Sequence, residues 1–136
     1  MQLIHFPTAR VIEINAFILS TEPGSKGAPD KGKLEGALAR IDNAILYQGL
    51  DDVFEIAAKY ALAIAQAHAL SDANKRTGLM VALEYLSLND FEVTVERELM
   101  AEAMVDLVLG ALDEKQFADI LYDCYQKDRA PGQQRL

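Results

Sequence analysis

The sequence predicts an all-α fold, a compact bundle of about six helices around a central hydrophobic helix. Three observations predict it. Five separate stretches repeat apolar residues at intervals of three and four, the period of a helix with one buried side. A sixth, Thr77 to Leu88, is almost wholly apolar, as expected of a helix at the centre of a domain. Between these stretches glycine, proline and paired acidic residues punctuate the chain, and only Phe91–Val95 alternates enough for a short extended piece.

In chain order, residues 8–20 place Val11, Ile14, Phe17 and Ile18 on one stripe, with Pro7 just ahead of the first turn. Residues 21–33 carry three glycines and two prolines and form the one long loop, a kind of segment that is commonly functional or mobile. Its Lys26, Lys31 and Lys33 are candidate contacts for a nucleotide or a target, against the plainer reading of solvated loop lysines. The second helix runs from about Leu34 to Tyr47 with Leu34, Leu38, Ile41 and Ile45 on one side, and Gly49 with Asp51 and Asp52 closes it and caps the next. The third, Val53 to Ala67, spaces Phe54, Ala57, Ala61, Ile64 and then His68 by threes and fours, so its buried side leads to the histidine. Its many alanines leave room for a close neighbour, expected to be the helix that follows Asp72. That central helix ends at Asn89 and Asp90. A fifth helix, about Glu96 to Leu109, carries Leu99, Met100, Ala103, Met104, Leu107 and Val108. Asp113 followed by Gln116 is a capping-box signature for a sixth, through about Gln126, with Phe117, Ile120, Leu121 and Tyr125 facing inward. A frayed, disordered tail is expected over 127–136, which includes Pro131 and Gly132.

A chain of 136 residues is one domain able to bury most of its apolar surface without staples. A single cysteine, Cys124, rules out a disulfide framework within the chain and suits a reducing cytoplasm. No segment has the length and flanks of a membrane span, and the opening residues lack the pattern of a signal peptide. A net charge of −8 argues against nucleic acid as a direct partner, because duplex binding depends on neutralising phosphates. Against that acidic background Lys75 and Arg76 stand out as a local basic spot, suited to a compact anion.

The residues around that spot make the chemistry specific. Ser71 or Asp72 can cap the central helix, and the first backbone N–H groups beyond the cap have no partner within the helix. Those donors, the positive end of the helix dipole and two cations favour a polyphosphate. Asp72 has the wrong sign for a phosphate contact but the right chemistry for Mg²⁺, which takes one or two carboxylates together with phosphate oxygens and water. His68, at the end of the preceding helix, can take a proton from an attacking hydroxyl, imidazole being the side chain whose ordinary pKa lies nearest neutrality. Base, metal ligand and phosphate cradle together point to phosphoryl or nucleotidyl transfer.

The run H-A-L-S-D-A-N-K-R-T at 68–77 resembles the Fic/Doc family, whose Fic form reads H-[PX]-F-x-[D/E]-G-N-G-R-x-x-R and whose Doc branch reads H-x-F-x-D-A-N-K-R-T. L-E-G-A-L-A-R at 34–40 and the helix before the motif are similar to Doc-like chains as well. Leu70 stands at the family's phenylalanine, a position expected to anchor the loop in the core, while Lys75 and Leu79 replace the second glycine and second arginine of the Fic form. The resemblance implies a Fic/Doc-like fold and a toxin of a toxin–antitoxin pair. It implies an ATP-dependent protein kinase that puts the γ-phosphate on a Ser/Thr hydroxyl of a translation factor, elongation factor Tu, and arrests translation. Carried over by position, His68 is the base, Asp72 the Mg²⁺ ligand, and Ala73, Asn74, Lys75 and Arg76 the phosphate-binding set. In the Doc branch the lysine goes with ATP bound in the reversed sense, and Lys75 fills room that glycine would leave open.

Each of these residues also has a plainer reading. A histidine at a helix end is commonly just a C-cap, and N-K-R could be a solvated first turn, although cations there oppose the dipole. His5 lacks partners at diagnostic spacing, Cys124 reads as a small buried apolar residue, and Tyr47 and Tyr60 read as core aromatics before adenine contacts. Two rival functions stand beside the kinase: a Fic-type adenylyltransferase, and a non-catalytic nucleotide-dependent binding protein. The self-inhibitory pattern [S/T]-x-x-x-E-[G/N] is approached only by Thr94 and Glu98 and fails at Leu99. The expected restraint is therefore a separate antitoxin chain, Phd-like by resemblance, laying a helix in an apolar groove.

Overall fold

The computed structural model describes residues 5–21, 27–70 and 73–134, with backbone alone for 130–134. Six helices follow in order: α1 (Thr8–Thr21), α2 (Lys31–Gln48), α3 (Val53–Ala67), α4 (Asn74–Leu88), α5 (Arg97–Leu109) and α6 (Glu114–Gln134). No strand forms among the described residues. Phe91, Val93 and Val95 are half-buried while Glu92 and Thr94 are exposed, so the predicted alternation is present without a ladder. The Thr94 N–H instead donates to Asp128 Oδ2 at 2.7 Å, and no strand among the described residues is there to pair with the segment.

Side-chain caps set several boundaries. Asp30 caps α2 by accepting from the Lys33 N–H at 3.1 Å, which moves the helix start three residues ahead of Leu34 and puts Lys31 and Lys33 in its first turn rather than in a loop. Asp52 caps α3 through the Phe54 and Glu55 amides, and Gly49 ends α2 with φ of 70°, a left-handed turn that glycine makes without strain. Asp113 and Gln116 exchange hydrogen bonds of 2.9 and 2.7 Å, the reciprocal capping box expected at the head of α6. That helix then continues to Gln134, where a frayed tail was expected from Lys127 onward. Two contacts hold its later turns: Asp128 on Thr94, and the Arg129 guanidinium 5.2 Å from the centre of the Tyr125 ring.

The core is a layer centred on α3, whose Ile56, Ala57, Ala58, Tyr60, Ala61 and Ile64 are completely buried. α4 packs along it and contributes Thr77, Gly78, Val81, Ala82, Tyr85 and Leu86. The alanines permit the expected close approach: a Cβ placed on Gly78 would lie 2.5 Å from the Ala61 carbonyl oxygen. α4 is not sealed all round, however, because Met80 and Leu88 are exposed where no helix among the described residues covers them. Phe17, expected on the buried stripe of α1, is 66 % exposed for the same reason. Tyr47 is also exposed, on the last turn of α2, whereas Tyr60 is fully buried between Phe6 and Tyr85 at centroid distances of 5.7 and 5.0 Å. His5 has a partner that sequence spacing does not show, Asp42 Oδ2 at 2.8 Å on α2. No helix among the described residues is long and apolar enough to cross a membrane.

Candidate functional site

The connection between α3 and α4 brings the motif together. α3 ends at His68, whose backbone is left-handed (φ 51°, ψ 34°) and whose side chain is exposed. Ala69 and Leu70 then turn inward and are buried, so a branched aliphatic does anchor the loop at the position where the family pattern has phenylalanine. The Ala69 carbonyl accepts from the Asp30 N–H at 2.7 Å, tying the head of α2 to the loop. Lys31 and Lys33 follow directly and are exposed, so this tie brings their helix end to the motif loop. Lys26 lies outside the described residues, as do Ser71 and Asp72.

α4 starts one residue later than expected and with a different cap. Ala73, in a left-handed conformation (φ 60°, ψ 32°), takes the N-cap position and contributes no side-chain hydrogen bond, while the expected caps Ser71 and Asp72 lie outside the described residues. The reason for the later start lies in Asn74. Its Nδ2 donates to the Leu70 carbonyl at 3.1 Å and its Oδ1 accepts from the Leu70 N–H at 3.3 Å, closing the loop so that helical backbone begins at Asn74. Lys75 and Arg76 are exposed on the first turn. The start of a helix, with its first-turn amides and two exposed cations, is an electrostatic match for an anion. The four positions expected to bind phosphate are thus consecutive at one helix end, although the Asn74 side chain is engaged with Leu70.

The next turn fixes this end of α4 to its neighbours. Thr77, completely buried, accepts at Oγ1 from Asn15 Nδ2 of α1 at 3.1 Å. Gly78 backs onto Ala61. Further along α4, Glu84 takes a two-pronged hydrogen bond from Arg10 of α1, at 2.7 Å from Nε and 2.6 Å from Nη2. This contact holds the Glu84 carboxyl below the usual carboxylate range and raises the Arg10 guanidinium above its ordinary value.

Arg10 and Glu84 lie in a groove of about 930 Å³ between α1, α4 and α5. Its floor and walls are mainly apolar, with Phe17, Leu79, Met80, Leu83 and Val105 among them, and Lys75 and Arg76 line it as well. The groove is therefore continuous with the cationic end of α4. Cys124 lies half-buried on α6, and burial pushes its thiol up, so it is not an activated nucleophile.

Among the described residues no three acidic, histidine or cysteine side chains cluster as a metal site would. A Mg²⁺ held by one carboxylate with phosphate oxygens and water needs no such cluster, so Asp72 by itself fits the chemistry implied for it.

Sequence reasoning missed the Arg10–Glu84 pair, the Asn15–Thr77 bond and the use of the Asn74 amide. Only Asn15 left a signal, a polar residue between Ile14 and Ile18 on a stripe otherwise read as core.

Residues 5–86, more than half of the chain, match the Fic/DOC family. The chain is also 32 % identical over 121 residues to "Protein kinase doc" of Escherichia phage P1, a match that spans 89 % of this chain and 95 % of that protein. On both grounds the chain belongs to the Fic/Doc family, on its Doc branch.

Proposed function

We propose that the protein is a Doc-type toxin, an ATP-dependent protein kinase that transfers the γ-phosphate to a Ser/Thr hydroxyl of a translation factor, with elongation factor Tu the target that the resemblance implies. The observation that carries the reading is the juxtaposition at the α3–α4 connection. An exposed histidine ends one helix, and after a short loop the next helix begins at a left-handed Ala73 and carries two exposed cations on its first turn. The likeness to a protein named a kinase supports the same class of reaction.

In this mechanism the first-turn amides of α4, Lys75 and Arg76 bind the phosphates and oppose the charge that develops as the terminal phosphoryl group leaves. His68 takes the proton from the attacking hydroxyl, at the position that α3 gives it. Asp72 would hold Mg²⁺, which supplies charge neutralisation between phosphate oxygens when bound. Lys31 and Lys33 at the head of α2 stand where a target or nucleotide would meet the loop, and Lys26 belongs to the same proposed set.

The groove between α1, α4 and α5 serves as the seat of a separate, Phd-like antitoxin segment. Apolar side chains exposed along it, Phe17 and Met80 foremost, fit the apolar face of a helix that is disordered until bound. Met80→Glu should leave the toxin active and abolish its neutralisation by the antitoxin, and full neutralisation of that variant would remove the groove from this role. The reaction itself is tested by mixing the protein with cell extract and ATP labelled on either the α- or the γ-phosphate. Protein-bound label from γ alone supports the kinase. Label from α identifies an adenylyltransferase, and none from either leaves a nucleotide-dependent binding protein.

A further inference from the structure

We propose that Asn74 is a positioning residue: its side-chain amide holds the loop that carries His68 in its working shape and does not touch the nucleotide. This rests on the phosphoryl-transfer reading and assigns one of its residues a different task from the one implied by position. Both functional ends of the amide are committed to a single residue. Nδ2 donates to the Leu70 carbonyl at 3.1 Å, and Oδ1 accepts from the Leu70 N–H at 3.3 Å. An amide that closes both bonds has no reason to leave them for a phosphate that the helix end and two cations already attract.

The loop needs such a clasp. It is bracketed by two non-glycine residues with positive φ, His68 at 51° and Ala73 at 60°. Backbone of this kind persists only where its surroundings over-determine it. Among the described residues two ties supply that constraint at the buried Ala69 and Leu70: Asn74 on Leu70 from α4, and the Asp30 N–H on the Ala69 carbonyl from the head of α2. The chemistry also selects the residue type. An amide donates and accepts at once, so it can satisfy a backbone N–H and C=O together. A carboxylate at position 74 could accept from the Leu70 N–H but would face the Leu70 carbonyl with a second acceptor, and alanine could make neither bond. Without the clasp the loop relaxes, and His68 moves relative to Lys75 and Arg76.

The experiment combines amide hydrogen exchange at Leu70 with ATP binding and turnover, on the full chain and its Asn74→Ala and Asn74→Asp variants. In N74A the Leu70 amide should exchange much faster. Turnover should fall by about 100-fold while the dissociation constant for Mg–ATP stays within about threefold. That split is expected when a catalytic group is displaced by about 1 Å and the nucleotide is held as before. N74D retains an acceptor for the Leu70 N–H and should keep that amide protected with reduced turnover, and it serves if N74A loses helicity. The proposal is overturned if Leu70 exchange is unchanged in N74A, or if ATP affinity falls in either variant as far as turnover does. A wild-type protein that transfers no phosphate would refute the kinase reading instead, and the clasp would then stand or fall on exchange and ATP affinity.

Discussion

Replacing Gly78 by alanine tests whether the close contact of α3 and α4 sets the geometry of the motif. A Cβ at this position would lie 2.5 Å from the oxygen, 3.3 Å from the carbon and 3.4 Å from the Cα of Ala61. All three are backbone atoms of Ala61, a completely buried residue, so no side chain can swing aside, and restoring ordinary contact moves the helices about 0.9 Å apart. Overpacking costs about 1–3 kcal/mol, and a clash with backbone that cannot move aside belongs in the upper part of that range, about 2–3 kcal/mol, against a gain of about 1 kcal/mol from the better helix propensity of alanine. The net expectation is a loss of about 1–2 kcal/mol, or about 3–10 °C in Tm for a chain of this size. Gly78 lies one turn beyond Asn74, so the same displacement shifts Lys75 and Arg76 relative to His68, and phosphate transfer should fall by about 10- to 100-fold. Gly36→Ala is the matched control, because the nearest atom to its Cβ is the flexible Arg40 Nη1 at 3.8 Å. That variant should gain about 1 kcal/mol from propensity and keep full transfer. Thermal denaturation followed by circular dichroism, with label incorporation on the same samples, reads both. The reasoning fails if G78A melts at or above the wild-type temperature, or if it loses stability with transfer intact.

His68→Ala should reduce transfer by about 10²- to 10⁴-fold with the same helical content, since the side chain is exposed and alanine inherits a left-handed position of similar strain. Thr77→Val removes the acceptor for Asn15 Nδ2 in a buried setting and should cost about 1–3 kcal/mol in urea unfolding, whereas an unmoved midpoint would show the bond to be dispensable. Glu84→Gln tests the pair with Arg10 through pH. The folded carboxyl lies below its ordinary value, so its contribution is present above the unfolded carboxylate range and is lost as pH falls through the depressed folded value. Wild type should therefore exceed E84Q in stability at neutral pH, with the two curves meeting in acid, and curves that stay parallel to low pH would contradict the assignment.

Much of the fold was legible because buried helices repeat with a fixed period and capped ends use few residue types. The span of α3 and the Asp113–Gln116 box follow directly from those rules. Periodicity names a side of a helix but not how much of it a neighbour covers. Hence Phe17 falls on the right stripe and still lies open beside the groove. The Asp30–Lys33 turn of α2 was hidden by Gly32, which reads as loop until the Asp30 cap is placed. The motif was legible as a set of residue types at fixed offsets. What those types do was not, because the reach of Asn74 back to Leu70 depends on left-handed backbone at Ala73, and Arg10 meets Glu84 only once α1 lies on α4.

The central claim is that the start of α4 receives the triphosphate. Titration of the isotopically labelled protein with Mg–ATP, followed by amide NMR, tests it most directly. The amide resonances of Ala73, Asn74, Lys75 and Arg76 should move first and furthest, with those of the groove between α1 and α5 shifting less. Saturable shifts centred on another part of the chain, with these four amides unmoved, would contradict it.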